Sequence, residues 1–481
     1  PFRLEPPRPA AQGGGTPAQR GRRVAMAASK ERESVALLGR PSEPELRRNF
    51  WCMGFWFALN HATVTTPLVV ATTLLGKEMA DIGSGCLYLA TVISSLMLAS
   101  PLCSHFGPRG GLLIAMGLCN AYVGCFAVAA LLPAGDAMAW CAFLGGSICG
   151  GVAFGVLWTA QGSYFSETAT RLAAATGETR EAATGSLAGG FAFVYLFLEV
   201  LSKLGFSGLQ AIHVEPWAIG LIYLGLGLLS AAMTLSILDL RPADQPGAAT
   251  SPLAKALGAF SLWPNPILWL LAPTNFTFGF CAAFMNGHVN ANFAAVELGP
   301  EAVAFLAAIT CLIGAVLARL FAPLSNCVGK GPVMMLGAAC FLGIPLSLFV
   351  LRCCHGWGWW LIVLYALQGS GRAVFESTNR AIFSDFFEGP ETENAFANCG
   401  LQSSLAFAIC FFLQTELSGA ATACIVATFA LLTPVCYVGA KALHARRRKL
   451  AQRAVEDGEE SSVLSSSGES ETESEPGTCG C

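Results

Sequence analysis

Twelve apolar runs of membrane-spanning length recur along this chain, and they constrain its fold more than any other feature. A helix needs roughly 20 apolar residues to cross the hydrocarbon core of a bilayer. Helices are the expected form because an unpaired backbone cannot face lipid. The sequence therefore predicts an all-α membrane protein with twelve transmembrane helices. The runs lie at about 50–75, 82–104, 109–133, 137–162, 184–205, 216–238, 262–287, 301–324, 332–352, 357–380, 395–415 and 419–441.

The composition agrees with a polytopic membrane protein. Hydrophobic residues make up 54% of the chain and charged residues 12%, whereas soluble proteins average about 25% charged residues. Most of the 19 cysteines lie inside apolar runs, where they behave as small apolar residues. No cysteine pair has zinc spacing, and no nucleophile has a convincing base, so we expect no metal, no cofactor and no enzymatic activity. The 31 acidic and 28 basic residues nearly cancel, so the net charge says little, and we expect no nucleic-acid partner.

Basic residues near the ends of the runs predict the orientation of the chain. They lie before the first run, after the last run and in alternate loops between them: Arg40, Arg47, Arg48, Arg109, Arg171, Arg180, Arg241, Lys255, Lys330, Arg380, Lys441, Arg446, Arg447, Arg448 and Lys449. The opposite loops hold little beyond Lys77 and Arg352. Both termini are therefore predicted to be cytosolic. We expect a multi-pass protein of the plasma membrane or of an endolysosomal or vacuolar membrane.

A segment rich in proline, glycine and charge divides the runs into two sets of six. We therefore predict a six-helix bundle over 49–238, a cytosolic linker over 239–258 and a second six-helix bundle over 259–443. The flanking segments are 1–48 and the acidic, serine-rich 444–481. Because neither segment can bury enough apolar surface, we expect both to be disordered cytosolic tails.

The two sets of six runs share a short loop. In the loop after the second run, Pro101-Leu102 is followed by Gly107; in the loop after the eighth, Pro323-Leu324 is followed by Gly329. A basic residue lies close after each glycine. Two parallel six-helix halves with this loop are typical of the major facilitator architecture, in which substrate sites lie near the membrane midplane between the halves. The repeat therefore predicts two pseudo-symmetric bundles.

Arg372, Glu376 and Arg380 form a charged stripe in the tenth run. Their spacing of i, i+4 and i+8 places them on one helix face in the order plus, minus, plus. Each charge at membrane depth costs roughly 2.5–3.5 kcal/mol, so this face must contact protein or a wet cavity. The stripe is either part of a solute path or a structural salt-bridge ladder. Glu376 either titrates and couples transport to protons, or stays ionised between the two arginines.

Polar side chains predict where a solute would pass. In a major facilitator architecture the first, fourth, seventh and tenth runs line the central cavity. The predicted substrate or ion pathway comprises Asn60, His61, Trp158, Gln161, Tyr164, Glu199, Asn275, Arg372 and Glu376. The alternative role for such groups is hydrogen bonding between helices. The predicted cytosolic gate comprises Arg109, Arg319, Lys330, Arg380 and Asp385.

Two basic residues have a second interpretation, in which the side chain snorkels along apolar surface towards the membrane edge. Arg319 lies a few residues from the cytosolic end of the eighth run and is either a gate residue or a snorkelling residue. Lys203 lies near the outer end of the fifth run, and we expect it to snorkel. Only Glu199 in that run then carries a costly buried charge.

The stretch Leu157-Trp158-Thr159-Ala160-Gln161-Gly162-Ser163-Tyr164-Phe165 resembles the fourth-helix motif of the Unc-93-like (uncoordinated-ninety-three) branch of the major facilitator superfamily. The Gly107-Pro108-Arg109 loop is similar to the Gly-Pro-basic step of that branch. The resemblance covers 49–443 and implies two functions. The first is a secondary transporter that moves a small molecule or ion by alternating access. The second is a non-transporting regulatory or trafficking partner of an ion channel or membrane receptor. The charged stripe favours the first.

Overall fold

In its described residues, the N-terminal half of the protein is a bundle of six helices. The computed structural model describes residues 41–133, 135–240, 258–350, 356–387 and 391–468, and these residues are almost entirely helical. The six helices of the first half are α1 Glu43–Leu74, α2 Lys77–Met97, α3 Ala99–Leu131, α4 Ala137–Thr176, α5 Arg180–Ala211 and α6 Pro216–Thr234.

The C-terminal half repeats this arrangement with two less regular helices. Helix α7, Pro266–Phe284, continues as a π-helix over Met285–Ala294 and as an α-helical turn over Ala295–Leu298. The next two are α8 Pro300–Val328 and α9 Lys330–Val350. Helix α10 begins as 3₁₀-helix over Gly358–Leu361 and continues as α-helix over Ile362–Val374, π-helix over Phe375–Asn379 and α-helix over Arg380–Phe386. The last two are α11 Glu391–Glu416 and α12 Gly419–Gly468.

Ten helices of the described residues are long and apolar enough to cross a membrane, and each coincides with a predicted run. The other two predicted runs are α1 and α10. Helix α1 carries Asn60, His61 and three threonines in its middle, and α10 is divided into short segments. Both pack within the bundle, α1 against α5 and α6, and α10 against α8 and α9. The predicted all-α membrane fold is confirmed, and ten of its twelve spans are matched by length and composition.

Local sequence sets several helix starts. Asp136 caps α4 by accepting a hydrogen bond from the Met138 backbone at 2.7 Å. Asn265 caps α7 by accepting one from the Ile267 backbone at 3.1 Å. Such caps satisfy amide groups that have no partner within the helix. The missing N–H of proline does no harm at a first helical position, and α6, α7 and α8 begin with Pro216, Pro266 and Pro300.

Matching glycines in the two halves confirm the predicted pseudo-symmetry. Gly107, at a kink within α3, has φ 74° and ψ 169°, and Gly329, between α8 and α9, has φ 88° and ψ 157°. Gly76, between α1 and α2, and Gly299, between α7 and α8, adopt the same conformation with φ 88° and 89°. This backbone region is accessible mainly to glycine. The same turn therefore recurs at corresponding places in both halves.

Two seams join the halves: α2 packs against α11, and α5 packs against α8. One apolar core contains buried side chains from both halves. Helix α1 begins, and α12 leaves the bundle, at one end of the molecule, which we call the tail face. The opposite end, where α1 meets α2 and α7 meets α8, is the far face.

The ends of the bundle differ from the predicted boundaries. Helix α1 begins at Glu43, ahead of the predicted start at 49, and α12 continues to Gly468. This helix thus covers 444–468, a part of the segment that we predict to be a disordered tail. The segment lacks apolar surface, but it is rich in strong helix formers and extends an existing helix, so it needs no new nucleation. Most of the predicted linker and the remaining tail residues, 1–40, 241–257 and 469–481, lie outside the described residues.

Candidate functional site

Glu199 lies at the centre of a buried charged cluster between the two halves. Its side chain is 3% exposed, and Oε2 accepts a hydrogen bond from Lys203 Nζ at 3.1 Å. Lys203 is one turn further along α5 and is also 3% exposed. The prediction that Lys203 snorkels to the membrane edge is therefore wrong. Helix α8 packs over this part of α5, so the ammonium group has an acid within reach and no route outward.

Arg372 of α10 reaches Glu199 from the other half. Its Nη1 donates to Glu199 Oε2 at 3.2 Å and its Nη2 donates to the Tyr195 hydroxyl at 3.3 Å. The thiol of Cys311, on α8, also donates to Glu199 Oε2, at 3.0 Å. Arg372 is 16% exposed, so one guanidinium and one ammonium group share a carboxylate with little water. Such an arrangement is stable only when the charges remain paired.

His61 of α1 faces the second oxygen of Glu199 from within an aromatic cage. Its Nδ1 lies 3.5 Å from Glu199 Oε1, and the side chain is 5% exposed. The ring stacks on Phe154 with centroids 5.3 Å apart and meets Trp158 and Tyr195 edge-on at 5.4 and 5.1 Å. The cage fixes the imidazole beside the carboxylate. His61 and Glu199 are thus placed to exchange a proton or to share one ligand.

The charged stripe of α10 continues this cluster towards the tail face. Glu376 Oε1 lies 3.9 Å from Arg372 Nε, and Glu376 Oε2 accepts from Arg380 Nη2 at 3.0 Å. These pairs show that the three side chains share one side of the helix, as their spacing predicted. Exposure rises from 16% at Arg372 to 22% at Glu376 and 54% at Arg380. The stripe therefore runs from the protein interior to water.

Two predicted pathway residues lie inside the individual halves rather than between them. Asn60 Nδ2 donates to Ser230 Oγ at 3.0 Å and to Asn120 Oδ1 at 3.2 Å, which ties α1 to α6 and α3. Asn275 Nδ2 donates to Gln402 Oε1 at 2.7 Å and thereby ties α7 to α11. Both asparagines are fully buried. Their contacts match the alternative interpretation, hydrogen bonding between helices, because the NH₂ group of each side chain donates within its own bundle.

The α4 motif contributes one residue to the central cluster. Trp158 is half-buried and contacts the His61 and Tyr195 rings. Gln161 and Tyr164 are buried further along α4 towards the tail face. Among the described atoms, the Tyr164 hydroxyl has no hydrogen-bond partner.

The predicted gate residues mostly bond within their own half. Arg109 donates to the Leu235 carbonyl at the end of α6. Lys330 Nζ donates to Asp385 Oδ2 at 2.6 Å and links α9 to α10. Arg380 bonds to Glu376, as described above. Arg319 of α8 instead crosses to the other half, where its guanidinium lies 5.3 Å from the centre of the Phe193 ring on α5.

The far face is held together by hydrogen bonds that the sequence did not predict. Thr72 Oγ1 donates to the Asn286 carbonyl at 3.0 Å, and Asn290 Nδ2 donates to the Val69 carbonyl at 3.1 Å. Lys77 Nζ donates to the Gln414 carbonyl at 2.9 Å and also pairs with Asp81. Ser207 Oγ donates to the Glu301 carbonyl at 2.7 Å. The four hydrogen bonds to backbone carbonyls join the two halves, whereas the pair between Lys77 and Asp81 lies within α2.

Three members of the central cluster were not predicted from the sequence. Lys203 and Tyr195 lie four residues after and four before Glu199, so helical spacing was a usable signal for both. Cys311 gave no signal, because a cysteine in an apolar run resembles any other small core residue.

Comparisons with known proteins agree with this fold. The sequence profile of the Major Facilitator Superfamily matches residues 276–469. Protein unc-93 homolog A of Danio rerio is 23% identical over 431 residues, which cover 81% of this chain and 90% of the relative. The nucleoside transporter NupG has a similar structure, with a TM-score of 0.60 at 14% identity over 82% of this chain and 98% of NupG. The xylose transporter XylE from E. coli, in a partially occluded inward open conformation, is also similar in structure. Its TM-score is 0.57 at 14% identity, over 82% of this chain and 98% of XylE.

The two solved structures show that the fold is shared, and the profile and the relative show sequence similarity to that superfamily and to an Unc-93-like protein. They agree with the resemblance carried by the fourth-helix motif and by the Gly107-Pro108-Arg109 segment. The chain is therefore similar to the Major Facilitator Superfamily over residues 276–469 and to an Unc-93-like protein over most of its length.

Proposed function

We propose that this protein is a secondary transporter that moves a small solute by alternating access between its two halves. The observation that carries the proposal is the ion pair between Glu199 of one half and Arg372 of the other, at 3.2 Å. An ion pair that crosses the interface must break or exchange partners when the halves move. A solute with polar groups would supply the replacement partners, which ties solute binding to the movement.

The surroundings of this ion pair support a path that opens towards the tail face. The far-face ends of the halves are hydrogen-bonded to one another, whereas the stripe becomes steadily more exposed towards Arg380. We infer that the tail face is cytosolic and that both termini lie there. The basic residues near the helix ends support this orientation, because cytosolic loops carry an excess of lysine and arginine.

Flux into proteoliposomes tests the proposal. Nucleosides and xylose, the solutes named for the two structural neighbours, are the first to test, followed by small organic acids and amino acids. For a transported solute, we expect Glu199→Gln, Arg372→Gln and Glu376→Gln each to lower the flux by about tenfold or more, which corresponds to roughly 1.4 kcal/mol. The flux of each variant is divided by the amount of that variant that remains monodisperse.

A matched control is Glu43→Gln, which removes a carboxylate from an exposed i, i+4 pair with Arg47 at the tail face. This variant should transport as the unmodified protein does. Unchanged flux in the three cluster variants would make the cluster structural. If no solute is transported and a membrane protein co-purifies in stoichiometric amount, the protein is instead a regulatory or trafficking partner.

A further inference from the structure

A groove lies on the α5–α8 seam, outside the central cluster. The two helices run antiparallel and touch at the far face, where Ser207 bonds to the Glu301 carbonyl. They touch again at mid-height, where Val200 packs with Ala308 and Cys311. Between this contact and the tail face the helices leave a groove of about 450 Å³ between the halves. This volume is in the range of sites that hold small ligands.

Apolar side chains form most of the groove. From α5 come Phe193 and Phe197, which are 48% and 46% exposed. From α8 come Leu312, Val316 and Leu320, which are 48%, 52% and 56% exposed. The groove is open to the outside of the bundle, where the protein meets lipid. An acyl chain suits such a lining because it is apolar, long and narrow.

A single charged residue, Arg319, lies in the lining of this apolar groove. It is nine residues before the end of α8, a rise of about 13 Å at ~1.5 Å per residue, so it lies in the part of the helix nearer the tail face. In the part of the chain that the structure describes, no carboxylate forms a salt bridge with Arg319, and its guanidinium lies over the Phe193 ring. An unpaired guanidinium at this depth needs an anion.

We propose that the groove between α5 and α8 binds an anionic phospholipid of the tail-face leaflet, with an acyl chain in the groove and the headgroup phosphate on Arg319. Basic pockets between transmembrane helices bind anionic lipid headgroups for the same electrostatic reason. Because the groove has one wall in each half, the bound lipid spans a seam whose helices must shift when the halves rock. This site does not depend on which solute the protein carries.

Native mass spectrometry of the purified full-length protein tests the proposal. The protein is exchanged into mixed micelles that contain equal amounts of phosphatidylglycerol and phosphatidylcholine, and the lipid that it retains is measured. We expect one phosphatidylglycerol to be retained in about fivefold preference, the factor expected from one basic residue near an anionic headgroup. Arg319→Gln should bring the ratio close to one. Arg319→Lys, which preserves the charge, should retain a preference for phosphatidylglycerol.

Two further variants separate the groove from general surface charge. Val316→Trp fills the groove from an exposed position and should lower the retention of both lipids. Arg448→Gln removes an arginine from the exposed, tail-face end of α12 and should leave retention unchanged. Equal retention of the two lipids by the unmodified protein, or an Arg319→Gln variant that still prefers phosphatidylglycerol, would overturn the proposal.

Discussion

Glu199 is the residue on which the central cluster depends. Lys203 and Arg372 both bond to its Oε2 atom, at 3.1 and 3.2 Å, and His61 faces its Oε1 atom at 3.5 Å. The acid is shared, so its loss leaves Lys203 without an acid and Arg372 with only the longer contact to Glu376 at 3.9 Å, whereas the loss of one cation leaves the other paired with Glu199. Removal of one partner from a buried pair typically costs about 3–5 kcal/mol, because the remaining charge stays buried and unpaired.

This asymmetry predicts an order of stability. We expect Glu199→Gln to lower the free energy of unfolding by about 3 kcal/mol or more, and Lys203→Met by clearly less, since Arg372 still pairs with Glu199. Thermal unfolding of the two variants in detergent measures the order. The opposite order, with Lys203→Met the less stable protein, would show that Lys203 rather than Glu199 holds the cluster together.

At the scale of elements, the irregular helices lie where the halves meet. Within the described residues, π-helix occurs in α7 over Met285–Ala294 and in α10 over Phe375–Asn379. The first segment supplies Asn286 and Asn290, which bond to α1, and the second contains Glu376 of the charged stripe. Short π-helical segments are frequent at functional sites, because they turn side chains away from the regular helical positions. The irregular segment of α10 therefore coincides with the candidate site, and that of α7 with the far-face contacts.

The glycine turns between helices give a prediction at the same scale. Gly329 has φ 88° between α8 and α9, and its added Cβ would meet only Pro332, at 4.0 Å. Gly329→Ala should therefore destabilise the protein by about 1–3 kcal/mol through backbone strain rather than through a clash. The control is Gly117→Ala, at a helical position where nothing lies within 4 Å of the new Cβ. It should be neutral or slightly stabilising by thermal unfolding. Equal stability of the two variants would contradict the strain argument.

On the scale of the whole molecule, the two faces differ in how the halves are joined. At the far face, side chains of one half bond directly to backbone carbonyls of the other. At the tail face, the pair between Lys330 and Asp385 stays within one half. The bonds at the far face therefore hold the halves closed there, and the pair at the tail face does not.

Removal of the Lys77 ammonium group should favour opening of the far face. Lys77→Gln removes a charged donor to the Gln414 carbonyl, a bond worth about 1.5–3 kcal/mol, so the population with an open far face should rise. Spin labels carried by non-canonical amino acids at the exposed positions Glu78 and Thr415 report the separation of α2 and α11 by electron double resonance. We expect an additional, longer distance in the variant.

The matched control for this experiment is Lys330→Gln. It removes a lysine of similar pairing from the opposite face, where both partners belong to the same half. The distance between the far-face labels should stay as it is in the unmodified protein. A longer distance between the labels in Lys330→Gln but not in Lys77→Gln would contradict this prediction. It would show that the contact at the tail face, and not the one at the far face, holds the halves closed.

Much of the fold was predictable because membrane insertion is governed by local composition. Apolar runs of about 20 residues must form helices in lipid whatever their neighbours, so ten spans could be placed from the sequence. The repeated loop was predictable for a similar reason, since the backbone at Gly107 and Gly329 admits little but glycine. The helical extension of α12 was missed because its polar composition suggested solvation, whereas helix propensity decided its conformation.

The sequence by itself determined that charged groups had to be buried in this protein, because Arg372, Glu376 and Glu199 all fall within membrane-spanning runs. Only the tertiary structure decided their partners. Helical spacing fixes which side chains share a face of one helix, but it carries no information on which face meets another helix. Packing of α5 against α8 therefore decided that Lys203 is buried and that Arg372 bonds to Glu199 across the halves. Packing within each bundle likewise turned Asn60 and Asn275 away from the interface.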